Sequence, residues 1–279
     1  MKIAHFTKLL PAISKTNTLR VGGSESSVIN LAKAQAESHD VVILNSSKIK
    51  NLKIKNIKFF HLKFNFFNIF FDNIFFKLIK LFGKPDIIII HEIYNFNIIP
   101  LIFFSKFINI KVYISPRGTL SPVALKINKF RKFFFHKIFF RNIVKLVNGF
   151  IALNIGEKAH IKRLFKNHQI YVIPNGVNQS YFNLNEIRKL VELKLKKKII
   201  LVGFLGRYDF FIKGLDVLLN EYSAYLRKSN KKSIKLIFVG EHRIKHGYSS
   251  KLIIDNFNKE NKKNSIIITG PFYDKKKIL

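Results

Sequence analysis

Residues 199–216 read Ile-Ile-Leu-Val-Gly-Phe-Leu-Gly-Arg-Tyr-Asp-Phe-Phe-Ile-Lys-Gly-Leu-Asp. The run from Ile199 to Leu205 has the length and β-branched content of a strand buried on both faces, as in a parallel sheet. It ends at Gly206-Arg207, and after a short loop Lys213-Gly214 opens an amphipathic helix with Leu215, Val217, Leu218, Leu219 and Tyr222 on its apolar positions. A parallel strand cannot return by a tight hairpin, so strand, loop and helix impose a βαβ layout. The same unit is a place to hold a diphosphate. A helix N-terminus offers unpaired N–H groups and partial positive charge. Arg207 can grip phosphate oxygens bidentately, and Lys213 adds a point charge. The bland alternative is an ordinary βα turn with solvated charges.

The alternation recurs along the chain. Strands are predicted at Lys2–Phe6, Asp40–Leu44, Ile57–Leu62, Pro85–Glu92, Val112–Ser115 and Asn148–Leu153. After the first, Val21-Gly22-Gly23-Ser24-Glu25 leads into a helix through Val28, Leu31, Ala32 and Ala36, with Ser24 as its N-cap. This glycine loop is neither a dinucleotide fingerprint nor a P-loop. Residues 64–82 read as an amphipathic helix, core-packed or dipping into a membrane surface. His91 and Glu92 end a strand, where a parallel sheet lines its ligand crevice. Lys126 to Val147 reads as one long basic helix, with Phe133, Phe134, Ile138, Phe139, Ile143 and Val147 as its apolar stripe. Gly156-Glu157-Lys158 opens another helix. The charged segment 178–197 reads as a linker. Beyond it come strand 199–205, helix 214–228, strand 234–239, a helix near 249–259 and strand 265–269. Gly240-Glu241-His242 and Gly270-Pro271-Phe272 end the two later strands. The fold class is therefore α/β, with two Rossmann-like domains.

Composition narrows the function classes. The 279 residues contain no cysteine, which excludes disulfides and thiolate metal sites and fits a reducing cytoplasm. Fifty Lys and Arg against 16 acids give a formal charge of +34, an attraction for polyanions whatever its origin. Codon bias toward Lys, Ile, Asn and Phe accounts for much of it. A nucleic-acid binder has only this charge in its favour, since no helix-turn-helix, RNP-like or zinc pattern accompanies it. The first eight residues lack a signal peptide's apolar core.

Three motifs, in order, carry a resemblance. Pro116-Arg117-Gly118-Thr119-Leu120-Ser121-Pro122, Ile173-Pro174-Asn175-Gly176-Val177 and Gly206-Arg207 with Lys213-Gly214-Leu215-Asp216 resemble those of glycosyltransferase family 4, retaining nucleotide-sugar enzymes of the GT-B fold. The resemblance implies an acceptor-side domain over 1–177, the linker, and a nucleotide-sugar-binding domain from 198 to 279. It implies Arg117, standing where many relatives place a histidine, as a contact to phosphate or sugar; with His91, placed at the crevice by its strand end, it makes the candidate catalytic pair. Arg207, Lys213, Gly22 and Gly23 would bind the donor phosphates, and Gly240, Glu241, Gly270, Pro271 and Phe272 would edge the nucleotide. No cofactor and no metal are expected, because the nucleotide sugar is a substrate. The implied partners are that donor and a glycan or lipid-linked acceptor of cell-surface polysaccharide synthesis; the basic helix 126–147 suggests an anionic membrane surface, a solvated face over a buried stripe being the alternative. Nucleic acid is not expected, and the location is cytoplasmic, peripheral to the inner face of the membrane.

The family's Glu-x7-Glu motif has no counterpart in the 279 residues. The expectation is thus an incomplete second domain and, from this chain alone, weak transfer. The alternative is a truncated remnant or split subunit.

Overall fold

The computed structural model describes residues 1–7, 12–13, 19–20, 23–45, 54, 56–61, 74–176, 200–228, 234–242, 244–245, 248–261 and 266–270. The chain divides into two compact units, Met1–Gly176 and Val177–Leu279.

The first unit is a parallel sheet with helices on both faces. Its elements are β1 (Lys2–Thr7), a short antiparallel pair β2 (Ala12–Ile13) and β3 (Leu19–Arg20), α1 (Gly23–Gln35), β4 (Asp40–Asn45), β5 (Ile57–His61) and α2 (Ile74–Phe82). There follow β6 (Ile87–His91), α3 (Ile98–Phe107), β7 (Lys111–Ser115), α4 (Pro122–Lys126), a helical rod over residues 129–146, β8 (Gly149–Ala152), α7 (Ile155–Leu164) and β9 (Ile170–Val172). Within the rod, α5 is Lys129–Phe134, a π-helical stretch spans Phe135–Phe140, α6 is Arg141–Ile143 and a 3₁₀ turn closes it over Val144–Leu146.

The sheet order is β5-β4-β1-β6-β7-β8-β9, every neighbour parallel. The order reverses between β1 and β6, and at such a switch point open α/β sheets form their crevice outside the strands' carboxyl ends. Alternation along the strands builds the two layers. Phe6, Val42, Leu44, Ile88 and Ile90 pack on one face with Leu78 of α2, Leu101 and Ile102 of α3, and Phe135 and Phe140 of the rod. Ile3, Val41, Ile43 and Ile89 pack on the other face with Ala32 of α1. Both faces being covered, the strands are continuous apolar runs.

Several expectations need correction. The rod does not begin at Lys126. Asn128 sits in the left-handed region (φ 54°) and separates α4 from α5. The π stretch then adds a residue to the turn, so the buried stripe becomes Phe135, Phe140, Val144 and Val147. Phe133, Phe134 and Ile138, expected inside, are 56%, 56% and 55% exposed. Helix α1 begins at Gly23, so Ser24 lies in the first turn and bonds Glu25 instead of capping. Helix α3 was not legible: Ile98–Phe107 is apolar on nearly every side and shows no period. Of the helix expected at 64–82, Ile74–Phe82 is helical; its earlier part and the linker 178–197 lie outside the described residues.

The second unit contains β10 (Ile200–Leu205), α8 (Phe210–Lys213), α9 (Leu215–Lys228), β11 (Ile234–Val239), a small pair β12 (Ile244–Lys245) and β13 (Tyr248–Ser249), α10 (Ser250–Glu260) and β14 (Ile266–Gly270). Its sheet runs β10-β11-β14, all parallel. Leu215, Leu219 and Tyr222 of α9 and Ile254 of α10 pack on Leu236, Phe238 and Ile266. Pairing β10 with β11 and β11 with β14 through helical crossovers makes this unit Rossmann-like too.

Candidate active site

At the switch point of the first unit, Arg117 is the hub. The loop Pro116–Thr119 turns tightly, with Arg117 at φ 51° and Gly118 at φ 80°, closed by Thr119 N–H donating to the Pro116 carbonyl at 3.2 Å. A left-handed arginine is strained and persists only where its surroundings hold it. Here they do. Arg117 Nε donates to His91 Nδ1 at 3.0 Å; Nη1 donates to Ser27 Oγ at 2.5 Å and to Asn175 Oδ1 at 3.1 Å. The guanidinium thus ties the end of β6 to the first turns of α1 and to the segment Pro174-Asn175-Gly176. Among the described residues, Nη2 has no hydrogen-bond partner. Burial draws the guanidinium below its ordinary value, opposed by the charges of Glu157 and Glu92.

His91 sits beneath this hub and is 2% exposed. Its Nδ1 faces Arg117, and its Nε2 lies 3.0 Å from His5 Nδ1 in β1. Desolvation, with the charges of His5 and Arg117, holds it well below the usual histidine range. Both ring nitrogens are committed, so His91 has no atom to offer a reacting sugar. The strand end thus brings His91 against Arg117, with its two nitrogens turned to Arg117 and His5.

Glu157 holds the Arg117 loop from the other side. Asn154 caps α7 by accepting from Glu157 N–H at 2.8 Å, which fixes Glu157 in the first turn. Its carboxylate accepts from Gly118 N–H at 2.6 Å and from Leu153 N–H at 2.7 Å. Ser121 then caps α4, accepting from Ala124 N–H. The sequence placed Glu157 at a helix start but not against Gly118, and it gave Ser27 no role. Asn175 was visible only as part of a turn.

In the second unit, Gly206 ends β10, and Gly206 N–H donates to Val239 O at 2.9 Å. Gly240 crosses so close to this turn that a Cβ there would lie 1.9 Å from Gly206 O. Arg207 is exposed beside it, and Tyr208 N–H donates to the Glu241 carbonyl at 2.9 Å. The structure thus brings Gly206, Arg207, Gly240, Glu241 and the Gly270 carbonyl, which accepts from Gly240 N–H, to one end of this sheet. Lys213 is exposed at the end of α8, and Gly214 (φ 65°) turns the chain into α9. The helix expected to open at Lys213-Gly214 therefore opens one residue later, at Leu215. Gly23 starts α1, while Gly22, Pro271 and Phe272 lie outside the described residues.

The sequence model of Glycosyltransferase Family 4 matches residues 21–181, more than half of the chain. No curated protein matches the sequence. Among solved structures, Anabaena HepE in complex with UDP and glucose is similar at TM-score 0.62 and 15% identity, over 98% of this chain and 70% of that one. The E. coli trehalose-6-phosphate structure bound with UDP-2-fluoro glucose gives 0.65 at 13%, over 100% and 75%. Sucrose-phosphate synthase from Thermosynechococcus elongatus gives 0.64 at 14%, over 99% and 72%. At such identities the likeness is one of fold.

Proposed function

The chain belongs to Glycosyltransferase Family 4, and from that premise we propose that it moves a sugar from a nucleotide-sugar donor to a glycan or lipid-linked acceptor. The anomeric configuration is retained, and the product serves cell-surface polysaccharide synthesis. The observation that carries this reading is Arg117, a half-buried cation held by three segments at the switch point. A group fixed in advance where charge develops costs no reorganisation at the moment of reaction. In this reading Arg117 meets the reacting sugar or its phosphate through Nη2. HepE has been solved with UDP-glucose, and the E. coli structure with UDP-2-fluoro glucose, which favours a uridine nucleotide as donor.

The first unit then serves the acceptor and the second the nucleotide. Arg207 and Lys213 neutralise the departing diphosphate, so the reading needs no metal. Gly240, Glu241 and Gly270 edge the nucleotide. Calorimetric titration of the full chain with UDP-glucose, GDP-mannose and UDP tests this. Saturable binding of one of them, weakened about tenfold or more by Arg207→Ala and by Lys213→Ala, is the expected result, each charge-assisted contact contributing roughly 1.5–3 kcal/mol. Binding unaltered in both variants contradicts the assigned roles.

The acceptor side of the reading includes a membrane. Phe130 is 81% exposed on the rod, beside exposed Phe133, Phe134 and Ile138. Lys129, Arg131, Lys137, Arg141 and Lys145 are exposed along the same rod, and Lys137 Nζ lies over the Phe133 ring at 5.7 Å. Aromatic and basic side chains together fit an anionic lipid surface. No described helix is long and apolar enough to cross a membrane. We place the rod at the cytoplasmic face, where a lipid-linked acceptor would be presented.

A further inference from the structure

We propose that His5 and Gln35 are positioning residues for sugar transfer: they take the Nε2 proton of His91 into a closed chain of hydrogen bonds and so hold the ring that aims Arg117. This rests on the reading of Arg117 given above.

The proton arrangement follows from the donors. Arg117 Nε always carries hydrogen, so the His91 Nδ1 it faces at 3.0 Å is an unprotonated acceptor. The proton of neutral His91 is then on Nε2, which points at His5 Nδ1, 3.0 Å away. His5 Nδ1 therefore accepts, and the His5 proton is on Nε2. That atom meets Gln35 Oε1 at 2.7 Å, an acceptor. One arrangement satisfies every member: Arg117 donates to His91, His91 to His5, and His5 to Gln35.

The chain also closes on a single element. Gln35 is in the last turn of α1, and Ser27, which accepts from Arg117 Nη1, is near its start. The bonds thus run from one end of α1, under it through β1 and β6, and back to the other end. The strands concerned are the two that flank the switch point. His5 is fully buried and its ring lies nearly coplanar with that of His91, edge to edge, at 5.2 Å between centroids and 17° between planes. A buried histidine in mid-strand that made no use of its nitrogens would leave polar atoms unmet. Here both nitrogens serve the site.

The charged groups that act on this pair are few. Arg117 bears on both rings, with Glu157 and Glu92 acting on Arg117 in turn. Desolvation keeps both rings neutral at physiological pH, His5 at about 4. A proton added to either ring would place two donors face to face and break the chain.

The test uses the full chain at pH 7.5. Long-range proton–nitrogen correlation spectra of the imidazoles report the tautomers, and donor turnover reports the consequence. In the wild type, His5 and His91 both show the Nε2–H form. His5→Phe keeps an aromatic ring in the core but removes the acceptor. The His91 Nε2 proton should then lose its hydrogen bond, read as a shifted resonance and faster exchange with water, and kcat should fall about tenfold or more, since small misplacements of a positioned group cost up to about a hundredfold. His5→Asn, which returns an acceptor near the position of Nδ1, should recover most of the rate. Gln35→Leu, on a half-buried helix end, should give the same spectral change more weakly and serves if His5→Phe does not fold.

An unchanged His91 Nε2–H resonance and unchanged kcat in both Gln35→Leu and His5→Phe overturn the inference. So does an Nδ1–H form of His91 in the wild type. The underlying reading fails separately: if Arg117→Ala leaves turnover intact, Arg117 is not a donor contact, whatever the histidine spectra show.

Discussion

Replacing Glu157 with glutamine should loosen the Arg117 loop without changing its shape. The Glu157 carboxylate accepts two short bonds, from Gly118 N–H at 2.6 Å and Leu153 N–H at 2.7 Å, and the residue is 6% exposed. Glutamine has one acceptor oxygen. Its amino group would face a backbone donor on the other side, and the remaining bond would lose its charge. With charge-assisted bonds at roughly 1.5–3 kcal/mol each, Glu157→Gln should cost about 2–4 kcal/mol. For a unit of this size that lowers the melting temperature by roughly 5–10 °C. Calorimetry measures the shift, and amide hydrogen exchange reads the cause directly: Gly118 or Leu153 should lose protection while the amides of β1 and β4 keep theirs. Turnover should fall as well, because the Gly118 amide lies next to Arg117 in the turn. An unaltered melting temperature with both amides still protected would refute the idea that this carboxylate holds the loop.

Three further outcomes follow from the geometry. His5 is held at about 4 in the fold against an ordinary 6.5, and His91 is lowered in the same direction. The unfolded chain therefore binds protons first as pH falls. Stability is full above pH 6.5 and declines toward pH 4, His5 alone accounting for roughly 3 kcal/mol. Urea unfolding at steps between pH 7.5 and 4 should show the decline, and His5→Phe should flatten it; a flat wild-type profile contradicts the assignment. In the second unit, Gly240→Ala would drive a Cβ to 1.9 Å from the Gly206 carbonyl oxygen, a backbone atom. Exchange protection in β10 and β11 should collapse while β1 and β4 stay protected, and a fully protected β10 would show that the two turns can separate freely. Finally, vesicles containing anionic lipid should sediment with the chain, and Phe130→Ser with Phe133→Ser should weaken this; equal binding to neutral and anionic vesicles would assign the +34 charge to composition alone.

Much of the fold could be read from the sequence because buried parallel strands are written as apolar runs. Ile87–Ile90 and Val41–Leu44 have no other use for so many β-branched and aliphatic residues. Helix α3 escaped for the same reason: it is apolar on nearly all sides, so it carries no helical period against which to be recognised. The rod was seen but placed wrongly on its axis. An amphipathic stripe drawn at 3.6 residues per turn cannot anticipate the extra residue of the π stretch, and Phe133, Phe134 and Ile138 consequently changed sides. The site was half legible. Arg117 stood out because its loop is a recognisable motif, and His91 because it ends a strand. Ser27 and Gln35 gave no signal, being ordinary polar residues on a helix. His5 did give one that went unused: a histidine in the middle of an otherwise apolar strand must find partners, and its partners are the site.

Sugar transfer as proposed depends on Arg117, and one comparison decides whether it does. Nucleotide release from the donor that binds the full chain is followed in the presence of lipid-linked acceptor, for the wild type and for Arg117→Ala. Wild-type release that depends on acceptor, with the variant slower by about a hundredfold or more, is the predicted result for losing one preorganised donor from a charged transition state. Equal rates in the two proteins, at temperatures where both remain folded, would contradict it.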